Sequence, residues 1–209
     1  MNFKSNSISI LVAVMALGLA GGARAGDGNA VYVEQIGDYH SGSVTQIGDG
    51  NSVGGGNLSP YSQNGSNQSL TIEQTGGYNG VKRGGQSGRR NSATVAQNGT
   101  SNAVDTLTQD GAENRLGVTQ LGRDNRASGS QRGNRNSMAL YQEGQASTLG
   151  AGQTGDDNTM RASVTGNWNY AELGQSGNGN TMVYSAAGNG NKAGLSQAGN
   201  GNSLTVTQR

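Results

Sequence analysis

The single histidine, His40, and the adjacent carboxylates Asp156 and Asp157 are the side chains best suited to general-base catalysis or cation binding. Histidine catalysis needs a second oriented group within reach, and no Cys and no carboxylate at a regular offset supplies one. A hard cation needs several converging oxygens, so Asp156-Asp157 reads as a solvated turn. The glycine-rich pieces Gly54-Gly-Gly56 and Gly188-Asn-Gly190 lack the lysine and the following helix of a phosphate loop, and read as turns too. Trp168 and Tyr170 could form an aromatic platform, but their place at a turn and the next strand suits covering a strand edge. Lys82-Arg83 and Arg89-Arg90 form the one basic cluster, read as a gatekeeper against misassembly. The expectation is a protein that is not an enzyme, with no cofactor, no metal and no small-molecule substrate.

Since no residue set promises chemistry, function has to lie in the scaffold. Lys4, the apolar run Ile8 to Ala20 and the small-residue motif Ala23-Arg24-Ala25 read as a secretory signal peptide over residues 1–25. The run is too short to cross a bilayer. Cleavage after Ala25 leaves a chain of residues 26–209 with 12 basic against 13 acidic residues, so no basic surface invites nucleic acid. Hydrophobic residues make up 31% and aromatics 4%, while 38 residues are Gly and none is Cys. A conventional core and a disulfide framework are both excluded, leaving disorder or a repetitive fold.

Periodicity decides for the repeat. A Gln opening a Gln-x-Gly unit recurs at Gln35, Gln46, Gln63, Gln74, Gln86, Gln97, Gln109, Gln120, Gln131, Gln142, Gln153, Gln175 and Gln197, and Gln208 keeps the register, with Val164 and Ala186 in two further slots. The gaps are 11, 17, 11, 12, 11, 12 and then 11 to the end. Five residues after most of these positions stands an Asn: Asn51, Asn79, Asn91, Asn102, Asn114, Asn125, Asn136, Asn158, Asn169, Asn180, Asn191 and Asn202, with Asn29 six residues ahead of the first Gln. His40, Gln68 and Ser147 take the remaining Asn slots, and their rungs are expected to be weaker links, as are those of Val164 and Ala186. Between Asn and Gln the sequence alternates with period two, as in Asn202-Ser-Leu204-Thr-Val206-Thr-Gln208, the signature of a strand. The residues between Gln and the next Asn suit tight turns. Two units make one circuit. The expected fold is an all-β solenoid of eight two-strand coils, with strands ending at the Gln positions and two parallel sheets ~10 Å apart.

Charge placement tests the register. Glu73, Arg115, Arg126, Arg161, Glu172 and Lys192 fall on the outward parity, and most other charges fall in turns, as an unpaired buried charge would demand. Lys82 and Asp105, or Arg83 on the other parity, are the inward candidates, in two arms one residue longer than the rest, where a bulge could re-aim them. The long gap predicts an irregular loop near residues 52–60, and alternation places all three length defects on one sheet. Stacked Gln and Asn side chains are expected to bond to the coils above and below as ladders.

The Gln-x-Gly-x-x-Asn unit at 11-residue spacing, from Asn29 to Arg209 behind a secretory signal, resembles the curlin repeat of curli amyloid subunits. The resemblance implies a secreted, cell-surface amyloid fibre of Gram-negative biofilms, exported unfolded through a dedicated outer-membrane channel. It implies self as the main partner, a second curlin-type subunit, and a role as either the major or the minor nucleating subunit. A soluble solenoid binding protein is the rival reading, but no capping sequence precedes Asn29 or follows Gln208.

Overall fold

Short polar and apolar residues alternate between each Asn and Gln, so one side of every arm buries while the other stays wet. The computed structural model describes residues 10, 11, 28–56 and 59–209, and among them every regular element is a strand. One sheet stacks Val33–Asp38, Tyr61–Ser66, Gly84–Arg89, Ala103–Ala112, Arg126–Asn134, Thr148–Thr154, Tyr170–Ser176 and Lys192–Ala198 in that order. The other stacks Ser41–Ile47, Ser69–Gly77, Ser92–Thr100, Arg115–Arg123, Ser137–Gln145, Thr159–Thr165, Thr181–Ala187 and Ser203–Gln208. The chain alternates between them, all these pairings are parallel, and the result is a β-solenoid of about eight turns. We number its coils 1 to 8, coil 1 carrying Gln35 and Gln46 and coil 8 carrying Gln197 and Gln208.

Register follows the repeat. Gln97 lies opposite Gln74 and Gln120, and Gln131 lies opposite Gln109 and Gln153. The strands do not stop at Gln, however. In coils 2 to 5 they run on through the Gln-x-Gly corner, as in Ser92–Thr100, because identical corners stack: Gly99 pairs with Gly76 and Gly122. The interior strip holds Val, Leu, Ile, Met and Ala, with the Asn and Gln columns at its two margins.

Three irregular arms are neighbours in the first sheet. The chain leaves after Val53 and re-enters at Tyr61, whose N–H donates to Tyr32 O at 2.8 Å. Short pieces Ala30–Val31, Ser52–Val53 and Gly80–Val81 continue the stack beside the excursion, and a register shift follows Val104. Tyr61 is fully buried, and its ring occupies space that any side chain at position 84 would need: a Cβ on Gly84 would lie 2.5 Å from Tyr61 Cε2. Lys82 and Asp105, the inward candidates, point outward instead. The extra residue in each arm reverses the parity, and Lys82 Nζ meets Asp105 Oδ1 at 2.7 Å on the surface.

The expected signal peptide and its cleavage point lie outside the described residues, apart from Ile10–Leu11. That two-residue strand pairs antiparallel with Glu34 and Gln35, on the outer edge of coil 1.

Candidate functional site

The Gln columns are continuous hydrogen-bond ladders. In the first sheet each Nε2 donates to the Oε1 of the next coil, from Gln35 through Gln63, Gln86, Gln109, Gln131, Gln153 and Gln175 to Gln197, at 2.7 to 3.0 Å. In the second sheet the same chain of bonds runs from Gln46 through Gln74, Gln97 and Gln120 to Gln142. It stops where Val164 and Ala186 fill the slot with buried apolar groups. Tyr184 compensates at the far side of the break: its hydroxyl donates to Gln208 Oε1 at 2.7 Å, where an amide at position 186 would otherwise donate. Sequence reading did not single out Tyr184, because on the strand pattern it is merely an inward apolar position.

The Asn columns work differently from the expected amide-to-amide stack. Asn Oδ1 accepts the backbone N–H of the next Asn in its column, as in Asn79 N–H to Asn51 Oδ1 at 3.0 Å and Asn180 N–H to Asn158 Oδ1 at 3.0 Å. The same pattern links Asn29 to Asn51, Asn79 to Asn102, Asn102 to Asn125 and Asn169 to Asn191. It also links Asn91 to Asn114, Asn114 to Asn136, Asn136 to Asn158 and Asn180 to Asn202. Nδ2 donates to the corner glycine carbonyl of the following coil, for example Asn114 to Gly133 O at 2.7 Å. Asparagine therefore closes each turn onto the next one. A few side-chain pairs, such as Asn136 Nδ2 to Asn114 Oδ1 at 3.1 Å, add to it.

The substituted slots differ among themselves. Ser147 keeps both functions, accepting Asn169 N–H and donating to Gly166 O at 3.2 Å each, so it is no weak link. His40 bonds Ile36 O through Nε2 at 3.0 Å and leaves Nδ1 buried without a partner. Gln68 donates to Asn64 O and Gly88 O, while its Oε1, one methylene further out than an Asn oxygen, has no partner. Gln68→Asn should therefore stabilise the fold by about 1 kcal/mol, since it removes a buried orphan acceptor and supplies the missing column bond. A urea midpoint no higher than wild type would contradict this. In the Gln column, Gln120→Ala strips partners from both Gln97 and Gln142, whereas Gln142→Ala strips one Gln partner only. We expect losses of roughly 3 and 2 kcal/mol in the same titration.

Charged groups sit on corners and outer faces, paired between adjacent coils. Arg90 pairs with Glu113, and Arg132 approaches Asp110 at 3.8 Å. Arg135 bonds both Asp157 oxygens at 2.7 Å and holds that carboxyl below its ordinary range. Two members of the expected basic cluster, Lys82 and Arg90, are thus partnered by acids of the next coil. Tyr39, Tyr78 and Trp168 occupy exposed left-handed corners, and Tyr78 lies over Gly50 of the preceding coil. Tyr170 OH donates to Glu172 at 2.8 Å on the outer face. Among the described residues no three His, Cys, Asp or Glu side chains gather to hold a metal ion.

What the geometry defines is a repeat solenoid whose functional groups are its own stacking bonds. The family model of the Curlin associated repeat matches residues 187–209, which cover coil 8, so that segment carries a curlin-type repeat. No curated protein matches the chain.

Proposed function

We propose that the chain is a structural, non-enzymatic subunit of an extracellular, curli-like amyloid fibre that serves in biofilm matrix and surface adhesion. Growth is by stacking end coils of successive copies. One observation carries this reading: among residues 28–209 the first-sheet Gln ladder and the apolar strip reach both coil 1 and coil 8, with their outermost groups left open. Val31 and Val44 in coil 1, and Leu195, Leu204 and Val206 in coil 8, are only partly covered, whereas the equivalent apolar side chains between them are buried apart from Ala151. An open sheet edge with unpaired backbone groups is a template for another strand, and matched amide columns extend across it. A second curlin-type subunit and a curli-type secretion channel are the further partners this reading names, and residues 26–209 are the secreted form.

The test is the behaviour of purified residues 26–209 in dilute buffer. Thioflavin binding, sedimentation and a ~4.8 Å fibre reflection are expected within days. A chain that stays a stable monomer with the same β-rich spectrum would favour the soluble solenoid binding protein instead.

A further inference from the structure

We infer that stacking has one polarity, with coil 8 of one copy seated on coil 1 of the next, and that the ionised side chains of these two coils are matched to select it. The inference rests on the fibre reading above.

Three asymmetries point the same way. The first is in the backbone. Ala30 and Tyr32 N–H donate to Asn51 O and Val53 O of the following coil, and Ser41 N–H donates to Gln68 O. Outward-facing residues thus turn their peptide groups towards the following coil, and in a parallel ladder the alternate, inward-facing residues turn theirs towards the preceding one. At the end of coil 8 the unpaired peptide groups belong to outward residues such as Gly194 and Thr205. At the start of coil 1 they belong to inward residues such as Val33 and Val44. This is the pairing that every internal junction already makes.

The second asymmetry is in the side chains. Each Gln donates forward and accepts from behind, so Gln197 ends its column with an Nε2 that has no onward acceptor, and Gln35 begins it with an Oε1 that has no donor. Stacking like on like would set donor against donor at one end and acceptor against acceptor at the other.

The third is charge. Coil 3 carries Lys82, Arg83, Arg89 and Arg90 and no acid, while coil 4 is acidic in balance and coil 5 basic. Opposite signs face each other across these boundaries in the pairs Lys82–Asp105 and Arg90–Glu113, and Arg126 reaches back to Asp105 at 3.6 Å. Coil 8 has Lys192 and Arg209 as its only ionised side chains, and coil 1 has Glu34, Asp38 and Asp49 with no Lys or Arg. Seating coil 8 on coil 1 sets opposite signs across the junction, as at the boundaries of coil 4 with coils 3 and 5. Coil 1 on coil 1 would bring six carboxylates together. Charges of this kind act mainly on the rate of encounter and on the rejection of wrong pairings, and salt screens them. In the full-length chain Ile10–Leu11 lies on the coil 1 edge, so the surface concerned is that of residues 26–209.

Seeded elongation of residues 26–209 tests this with two double variants and their combination. Lys192→Glu with Arg209→Glu, and Glu34→Lys with Asp38→Lys, each on seeds of the same variant, should elongate about three- to tenfold more slowly than wild type at low salt. The deficit should shrink at 0.5 M salt, near ~4 Å screening. The combined four-site variant restores opposite signs and should return to within about twofold of wild type. Circular dichroism of each assembled variant checks that the solenoid is intact. Double variants as fast as wild type, or a four-site variant as slow as the doubles, would overturn the matched polarity while leaving the fibre reading in place. Wild type that forms no fibre at all would instead remove the fibre reading.

Discussion

Thr205→Pro and Val33→Pro should each elongate preformed wild-type fibres at least about tenfold more slowly than the unmodified chain. Both positions turn their N–H along the solenoid axis away from the neighbouring coil, so proline there deletes no ladder bond within the chain. What it deletes is a donor to the incoming copy, leaving a buried carbonyl unpaired at a cost of about 1–3 kcal/mol, and the ring cannot lie within a continuous ladder. Each 1.4 kcal/mol is a tenfold factor in an equilibrium constant, which sets the expected scale. Ser59→Pro is the control, because Ser59 donates only to Gly56 O within the excursion outside both sheets. Elongation followed on seeds at matched monomer concentration gives the comparison. If all three variants grow like wild type, the end coils are not the assembly surface.

The second large effect concerns the stacked corners. Gly122 has φ +107°, and a Cβ placed on it would lie 2.1 Å from Gly144 O of the next coil. Neither the dihedral nor the gap can relax alone, because the corner repeats on the coils at either side. Gly122→Ala should therefore cost upwards of ~3 kcal/mol, the sum of a strained backbone and a displaced coil. Gly179 isolates the dihedral: its φ is +65°, and nothing lies within 4 Å of its Cβ direction. Gly179→Ala should cost about 1 kcal/mol. Gly194 has neither restriction, so Gly194→Ala should be neutral or slightly stabilising through the unfolded chain. Urea midpoints in the order 194, 179, 122 from highest to lowest are expected. Equal midpoints for all three would mean that the corners do not bear on one another.

The coil count and the division of strands between sheets were legible because Gln and Asn recur with a period that disorder has no reason to keep. Lys82 and Asp105 show what periodicity leaves open. An extra residue flips the parity of everything on one side of it, and only the backbone decides where the flip is placed. The Asn columns show another limit. Spacing reveals that amides stack, but whether an amide oxygen meets another side chain or a peptide N–H depends on its distance from the corner. Glutamine, two residues before the corner glycine, reaches its twin, while asparagine, one methylene shorter and next to the turn, reaches the backbone. Gln68 marks the same distinction from the other direction, since its added methylene carries the oxygen past any partner. Tyr184 was invisible for a third reason: its role exists only because position 186 lacks an amide two residues away.

The confinement of all three length defects to one sheet has a mechanical consequence. In the proposed filament of stacked copies, the second sheet would be an unbroken ribbon of parallel strands along the whole axis. The first is split lengthwise over coils 1 to 4, where Val53 parts from Tyr61, Val81 from Gly84 and Val104 from Thr106. Such a filament has a stiff flank and a flank with a compliant stretch once per subunit, every ~38 Å at the usual strand spacing. Under load it bends about the stiff flank, and the compliant stretches yield first.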